Sequence, residues 1–231
     1  MLDIIVVRHG ESIRNHAALL AHQGNLGPLE AQINEDSYEP GWPLTEHGWE
    51  QARAAGAWIR SEFGAASLIG YVSPYYRTLQ TARGLDLGIG FQQDWRLRER
   101  HWGDYSLAGE AYPVAQYLTD LAHCGEPDWR SGYPGGESVM DLLPNVRSFV
   151  QDRLFGLVEA RIVIVTHGGT MRAFQALLTG GSELRPSSTP NCVLLHLRLQ
   201  EVHRDGTATG DLVYEEPCPA ATPHLQWQHF G

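Results

Sequence analysis

The sequence predicts an α/β protein, a three-layer αβα sandwich around a mostly parallel central sheet. Two observations carry this expectation. Short β-branched runs alternate along the chain with stretches of helical periodicity, and two of those runs end alike, in a histidine followed by glycine. Ile4-Ile5-Val6-Val7 leads into Arg8-His9-Gly10-Glu11-Ser12, and Ile162-Val163-Ile164-Val165 leads into Thr166-His167-Gly168-Gly169. Continuous β-branched runs read as strands of a buried parallel sheet, so each imidazole stands where a strand ends and the chain turns toward a helix. In open α/β sheets that edge forms the ligand crevice, and helix N-termini there add N–H donors for anions.

The elements follow in order. Arg14 to Pro43 is rich in Gly, Asn, Pro and Glu and long for a connection, which predicts a lid-like insertion at about 14–43. Thr45 caps a helix through about Phe63, with Ala52, Ala55, Ile59 and Phe63 on one face and Gly64 beyond its end. Ser67 to Val72 is a second strand, after which Ser73-Pro74 opens a helix that carries Arg77, Thr78 and Thr81 and stops at Gly84. Trp95 to Gly136 is irregular, aromatic and glycine-punctuated, a cap segment with one helix around Glu110 to His123. Glu137 to Glu159 has helical periodicity, and Pro144 within it means a kink or a helix that starts there. Arg161 to Thr166 is a third strand, followed by a helix from about Gly169 to Thr179 that Gly180-Gly181 ends. Val193, Leu195, Leu197 and Leu199 alternate with Leu194, His196, Arg198 and Gln200, a strand with one buried face, and Arg204-Asp205-Gly206 turns it into an antiparallel partner near Asp211 to Glu215. With no repeat or linker, the 231 residues read as a single domain, 1–231.

Composition narrows the function. A net charge of -10 argues against a nucleic-acid or anionic-membrane partner, so a small anion must be held by a local cationic pocket. The first apolar run has the length of a strand, not of a signal peptide or membrane span, which makes the cytoplasm the expected compartment. Cys124, Cys192 and Cys218 are odd in number and lack CxxC spacing, as in a reducing compartment without a disulfide framework or zinc site. His16, His22, His47, His123, His203, His224 and His229 are scattered, with no HxH or HExxH, so no metal or other cofactor is expected. The expected partner is a small phosphorylated substrate; nothing in the pattern marks a particular oligomeric state.

If the strands ending at Arg8-His9, Ser73-Pro74 and His167 are sheet neighbours, Arg8, His9, Arg77 and His167 meet in one crevice. Guanidinium groups donate bidentately to phosphate oxygens and stay charged. A neutral imidazole is a competent nucleophile at phosphorus, and a second, protonated imidazole adds charge-assisted donation as charge moves over the equatorial oxygens. The leaving oxygen needs a proton. Glu11, Glu99, Glu110 and Glu137 are candidates, and context favours Glu99, in Leu97-Arg98-Glu99-Arg100-His101-Trp102-Gly103. Arg100, His101 and Trp102, with Tyr105 beyond, are candidates for the wall of a leaving-group pocket.

These motifs resemble the histidine phosphatase superfamily, which includes the cofactor-dependent phosphoglycerate mutases and many phosphatases. The resemblance rests on Arg8-His9-Gly10-Glu11-Ser12 with Asn15, Leu44-Thr45 with Gly48 and Gln51-Ala52, Ser73-Pro74 with Arg77-Thr78 and Gln80-Thr81-Ala82, Leu97 with Glu99, Gly136-Glu137-Ser138, and Thr166-His167-Gly168-Gly169, all in the family's order. It implies a phosphoglycerate mutase-like fold. It further implies His9 as phosphorylated nucleophile, Glu99 as proton donor and then base, and Arg8, Arg77 and His167 as phosphate ligands. Asn15 and Gly168 join the phosphate site, and no metal takes part. Arg100-His101 followed by an aromatic and Gly103 is similar to the mutases. The paired downstream arginines of the mutases are missing, however, since Arg130 is the only arginine between Tyr105 and Gly136. Gly169, where mutases usually carry Asn, and Ser73-Pro74 look like the phosphatase branch. The expectation is therefore a metal-independent phosphomonoesterase. The alternatives are a phosphoglycerate mutase-like phosphotransferase and a non-catalytic phospho-ligand binding module, which would have no need of Glu99.

Overall fold

Successive residues of a strand face opposite sides of a sheet, and in this chain both sides find apolar cover. The structure is a computed structural model that describes residues 1–22, 41–63, 67–101, 103, 135–178 and 191–216. Its strands are β1 (Leu2–Arg8), β2 (Leu68–Val72), β3 (Phe91–Gln93), β4 (Arg161–Thr166), β5 (Leu194–Val202) and β6 (Ala208–Glu216), in the sheet order β3-β2-β4-β1-β5-β6. The first four in that order are parallel, β5 runs antiparallel to β1, and β6 runs antiparallel to β5. The helices are α1 (Ile13–His22), α2 (Glu46–Phe63), α3 (Tyr76–Gly84), α4 (Leu143–Arg153) and α5 (Gly168–Leu178), with 3-10 turns at Trp95–Leu97 and Met140–Leu142.

Ile5 and Val7 of β1 and Val163 and Val165 of β4 pack with Ala52, Ala55 and Ile59 of α2 and Ala82 of α3. Their neighbours Ile4, Val6, Ile162 and Ile164 pack with Val146, Phe149 and Val150 of α4 and Met171, Ala173 and Phe174 of α5. Helices thus cover both faces, which is the expected three-layer αβα arrangement.

The helix expected after Thr45 begins one residue later, and the Thr45 Oγ1 caps it by accepting the Gly48 N–H at 3.0 Å. Of the two meanings left open for Pro144, a helix start is what forms: Pro144 lies in the first turn of α4, where a missing N–H costs nothing.

Three expectations change. The segment read as a lid-like insertion at 14–43 opens with a helix, because Ser12 caps it, its Oγ accepting the Asn15 N–H at 3.3 Å, and Ala17-Ala18-Leu19-Leu20-Ala21 are good helix formers. The strand read as having one buried face is buried on both at its start: Leu194 packs in the α2 layer, and His196 is buried because Asp3 Oδ1 lies 3.0 Å from its Nε2. Phe91–Gln93, with one apolar residue, gave no strand pattern, yet it forms an edge strand parallel to β2. Residues 23–40 of the insertion, most of the segment expected as a cap, the helix around Glu110 to His123, and Gly64, Cys124, Gly180, Gly181 and Cys218 lie outside the described residues. Among the described residues no helix is long and apolar enough to cross a membrane.

Candidate active site

Strand register builds the site. Arg8 pairs with Thr166 across β1 and β4, so the residues that follow, His9 and His167, leave the sheet side by side, with ring centroids 5.3 Å apart. On the other side of β4, Val72 pairs with Val165, which places Ser73 next to His167; Ser73 Oγ hydrogen-bonds His167 Nε2 at 2.8 Å. The turn at Ser73-Pro74 then starts α3 so that Arg77 reaches back across the strand ends. Three sheet neighbours therefore bring Arg8, His9, Arg77 and His167 together.

The hydrogen bonds fix the tautomer of His9. Its Nδ1 lies 2.7 Å from the Gly10 carbonyl oxygen, which only accepts, so Nδ1 carries the proton. Nε2 then presents its lone pair, and Arg77 Nε donates to it at 3.2 Å. Burial, with the Arg77 and Arg8 guanidinium charges, holds His9 well below the ordinary imidazole range; burial, Arg77, His9 and Arg8 do the same to His167. His167 Nδ1 is buried with no hydrogen-bond partner among the described residues. Burial also pulls the Arg8 guanidinium down to about 10, against the opposing pull of Glu99 and with help from Arg172 and Arg77. The crevice is thus rich in guanidinium charge, with two neutral imidazoles at its centre.

The neutral imidazoles make stability depend on pH. The native state refuses protons that both histidines accept in the unfolded chain near 6.5. Stability is therefore full above that pH and falls as the pH drops through it, by up to about 1.4 kcal/mol per pH unit for each histidine. Urea unfolding at pH 7.5, 6 and 5 checks this, and a flat profile contradicts it.

The loop that carries His9 is anchored from several sides. Gly10 N donates to Thr81 Oγ1 at 3.0 Å, Glu11 N to Gln51 Oε1 at 2.8 Å, and the His9 carbonyl accepts from Asn191 Nδ2 and Cys192 N, each at 3.2 Å. A Cβ at Gly10 would stand 2.4 Å from the Gly48 carbonyl oxygen, so glycine there lets α2 press directly on the loop. Asn15 Oδ1 accepts from Ser12 N, Ser12 Oγ and Asn191 Nδ2 at 2.9 to 3.2 Å, which leaves the Nδ2 amide as its available donor group. Gly168 opens α5 directly after His167.

Among the carboxylates, geometry separates the candidates. Glu137 forms a bidentate pair with Arg98, at 2.6 Å on each arm, and accepts the His101 N–H at 2.7 Å. Glu11 Oε1 accepts from Thr45 Oγ1 at 2.7 Å. Glu99 is buried at the crevice, its Oε1 accepting the Arg100 N–H at 2.9 Å and its Oε2 facing the Gly169 N–H at 3.4 Å. Glu110 and the pocket-wall candidates Trp102 and Tyr105 lie outside the described residues. Of the other wall candidates, Arg100 is buried, whereas His101 is exposed, its Nδ1 accepting the Gly103 N–H at 3.1 Å.

Some neighbours escaped the sequence reading. Thr166 Oγ1 donates to the Leu97 carbonyl at 2.7 Å and Thr170 Oγ1 to the Arg98 carbonyl, pinning the backbone that carries Glu99. The sequence signal was a hydroxyl residue on either side of His167-Gly168-Gly169. Trp42 lies under two guanidinium groups, Arg14 at 5.4 Å and Arg77 at 5.9 Å.

The chain is similar to known proteins. A profile described as Histidine phosphatase superfamily (branch 1) matches residues 4–208. The chain belongs to that superfamily. This histidine phosphatase-superfamily member is 30% identical over 196 residues to the phosphoglycerate mutase-like protein AT74H of Arabidopsis thaliana, a match covering 74% of this chain but 63% of that protein. The chain therefore spans less than two thirds of that plant relative. It is 28% identical over 206 residues to a 2,3-bisphosphoglycerate-dependent phosphoglycerate mutase of Methylocella silvestris, covering 83% of this chain and 86% of the relative. Its fold is similar to that of a mycobacterial glucosyl-3-phosphoglycerate phosphatase in complex with VO3, with 22% identity, a TM-score of 0.67 and coverage of 91% and 96% of the two chains. The family is one of phosphatases and mutases, and the fold is phosphoglycerate mutase-like, as the motifs led one to expect.

Proposed function

We propose that the protein is a phosphomonoester hydrolase that works through a phosphohistidine on His9, without a metal ion, on a small phosphorylated substrate. The observation that carries this reading is the proton placement at His9: Nδ1–H is committed to Gly10, so the lone pair of Nε2 faces the crevice beside Arg77. An entering phosphoryl group takes the donors of Arg77 and Arg8 onto its oxygens, which frees that lone pair. His167 Nδ1 and the Asn15 amide supply further donation, and the dianion favours a proton on His167. With this positive charge supplied by side chains, the transition state has its stabilisation from the chain itself.

In the first step the Nε2–P bond forms as the P–O bond to the leaving group breaks, and the leaving oxygen takes a proton from Glu99 to depart as an alcohol. In the second, a water gives a proton to the Glu99 carboxylate while its oxygen attacks phosphorus; the N–P bond breaks, releasing phosphate and restoring His9. Glu99 Oε1 is held by the Arg100 N–H, and Oε2, with its longer contact, is the oxygen left to carry the proton.

Rapid quenching during turnover of a radiolabelled phosphomonoester tests this reading. Acid-labile, alkali-stable label on the protein is expected, absent from His9→Ala; label that survives the substitution, or none under single-turnover conditions, contradicts it. The mutase names of several relatives favour a second reading, phosphoryl transfer between two ends of a substrate. It requires a bisphosphate primer and little free phosphate, whereas the hydrolase releases one phosphate per turnover without primer.

A further inference from the structure

Gly169 is the second residue of α5 and does not have a positive φ. Backbone freedom is therefore not what calls for glycine at this position. The Glu99 carboxylate occupies the space instead. A Cβ at Gly169 would stand 2.4 Å from Glu99 Oε1, but 3.4 Å from Leu142 Cδ1 and 3.5 Å from Arg100 Cγ. The last two are tolerable contacts; the first is an overlap that something must relieve.

The backbone carrying Glu99 is poorly placed to relieve it. Thr166 Oγ1 holds the Leu97 carbonyl at 2.7 Å, and Thr170 Oγ1 holds the Arg98 carbonyl. The Arg98 guanidinium is forked by Glu137, whose carboxylate also takes the His101 N–H at 2.7 Å. Residues 97, 98 and 101 are thus tied on both sides of Glu99. What remains free is rotation of the Glu99 side chain, and rotation carries its oxygens off the Arg100 and Gly169 N–H groups.

We infer that Gly169 is a positioning residue for the proton donor: its lack of a side chain sets where the Glu99 carboxylate stands, and so whether a leaving oxygen can be protonated. The inference rests on the role proposed above for Glu99. It separates two properties that most active-site substitutions change together. Alanine is the better helix former, so Gly169→Ala keeps or raises the melting temperature. The chemistry suffers only as far as the leaving group needs a proton.

The experiment compares kcat/KM, which includes steps only up to departure of the alcohol, for para-nitrophenyl phosphate and glycerol phosphate. A nitrophenolate leaves readily as an anion, whereas an alkoxide does not. For Gly169→Ala the expected result is a loss of about a hundredfold on glycerol phosphate and less than about fivefold on the nitrophenyl ester, with inhibition by inorganic phosphate unchanged. Glu99→Gln shows the same split, larger. Combining Gly169→Ala with Glu99→Asp, which withdraws the carboxylate by one methylene, recovers part of the alkyl activity relative to Gly169→Ala alone. If Gly169→Ala lowers both substrates equally, or neither, while Glu99→Gln keeps its split, the positioning inference is overturned and the role of Glu99 stands. If Glu99→Gln shows no split, the role of Glu99 falls and the inference with it.

Discussion

His9→Ala is expected to lower turnover of an aryl phosphate by about four orders of magnitude or more, in buffer containing a chelator. The substitution removes the Nε2 lone pair that Arg77 now faces, and in the neighbouring imidazole the corresponding nitrogen, His167 Nε2, is already committed to Ser73. Arg8, Arg77 and His167 remain, so inorganic phosphate is expected to bind still while the proposed covalent step is lost. His9 is buried and its Nδ1–H ties the loop to the Gly10 carbonyl, so His9→Asn, with an amide in place of the ring, serves as a second variant whose fold is checked by its melting temperature. Substantial activity surviving in folded variants under chelation would remove the phosphohistidine from the mechanism. Wild-type activity abolished by the chelator would instead remove its metal independence.

How much of this could be read from residues alone depended on range. The strand ends were legible because Ile4 to Val7 and Ile162 to Val165 are continuous β-branched runs, and such runs have few alternatives. What periodicity does not carry is register, and register makes the site: Arg8 opposite Thr166 sets His9 beside His167, and a slip of one residue would turn those side chains to opposite faces. Edge strand Phe91–Gln93 was invisible for a similar reason, since its pairing with Gly70 to Val72 is a tertiary fact that three residues cannot announce. The burial of His196 was hidden because its partner Asp3 lies far away in sequence. Helix α1 was masked by averaging: a run of Ala and Leu was joined to the Gly- and Pro-rich stretch that follows it.

Glu99 was singled out more by resemblance than by its own surroundings in sequence. In space it is distinguished from Glu137 and Glu11 by what the others already hold: Glu137 is spent on Arg98, and Glu11 on Thr45. The hydroxyls that pin its backbone come from the end of β4 and the first turn of α5, so the histidine strand and the segment carrying Glu99 are one mechanical unit. That coupling explains how a carboxylate on an irregular segment can be placed as exactingly as residues at the sheet edge.

Arg77→Ala is expected to do two things at once, and their separation tests the electrostatics of the crevice. Loss of the guanidinium removes the fork proposed to stabilise phosphoryl charge, and kcat/KM is expected to fall by about a hundred- to a thousandfold. It also removes the leading charge that depresses both His9 and His167. In the wild-type protein the His9 lone pair persists well below the ordinary imidazole range. Without Arg77 its proton affinity rises, the protonated ring cannot attack, and the acid limb of kcat/KM moves toward neutral pH. Ionisation of the assay substrate is common to both proteins and cancels in the comparison. Arg77→Lys keeps the charge without the planar fork, so it should return the acid limb most of the way while recovering little of the rate. An unchanged pH profile in Arg77→Ala would show that burial and the Arg8 charge are enough to keep the imidazoles neutral. Full recovery of rate by lysine would show that charge, and not the fork reaching from α3 to His9, is what the site requires.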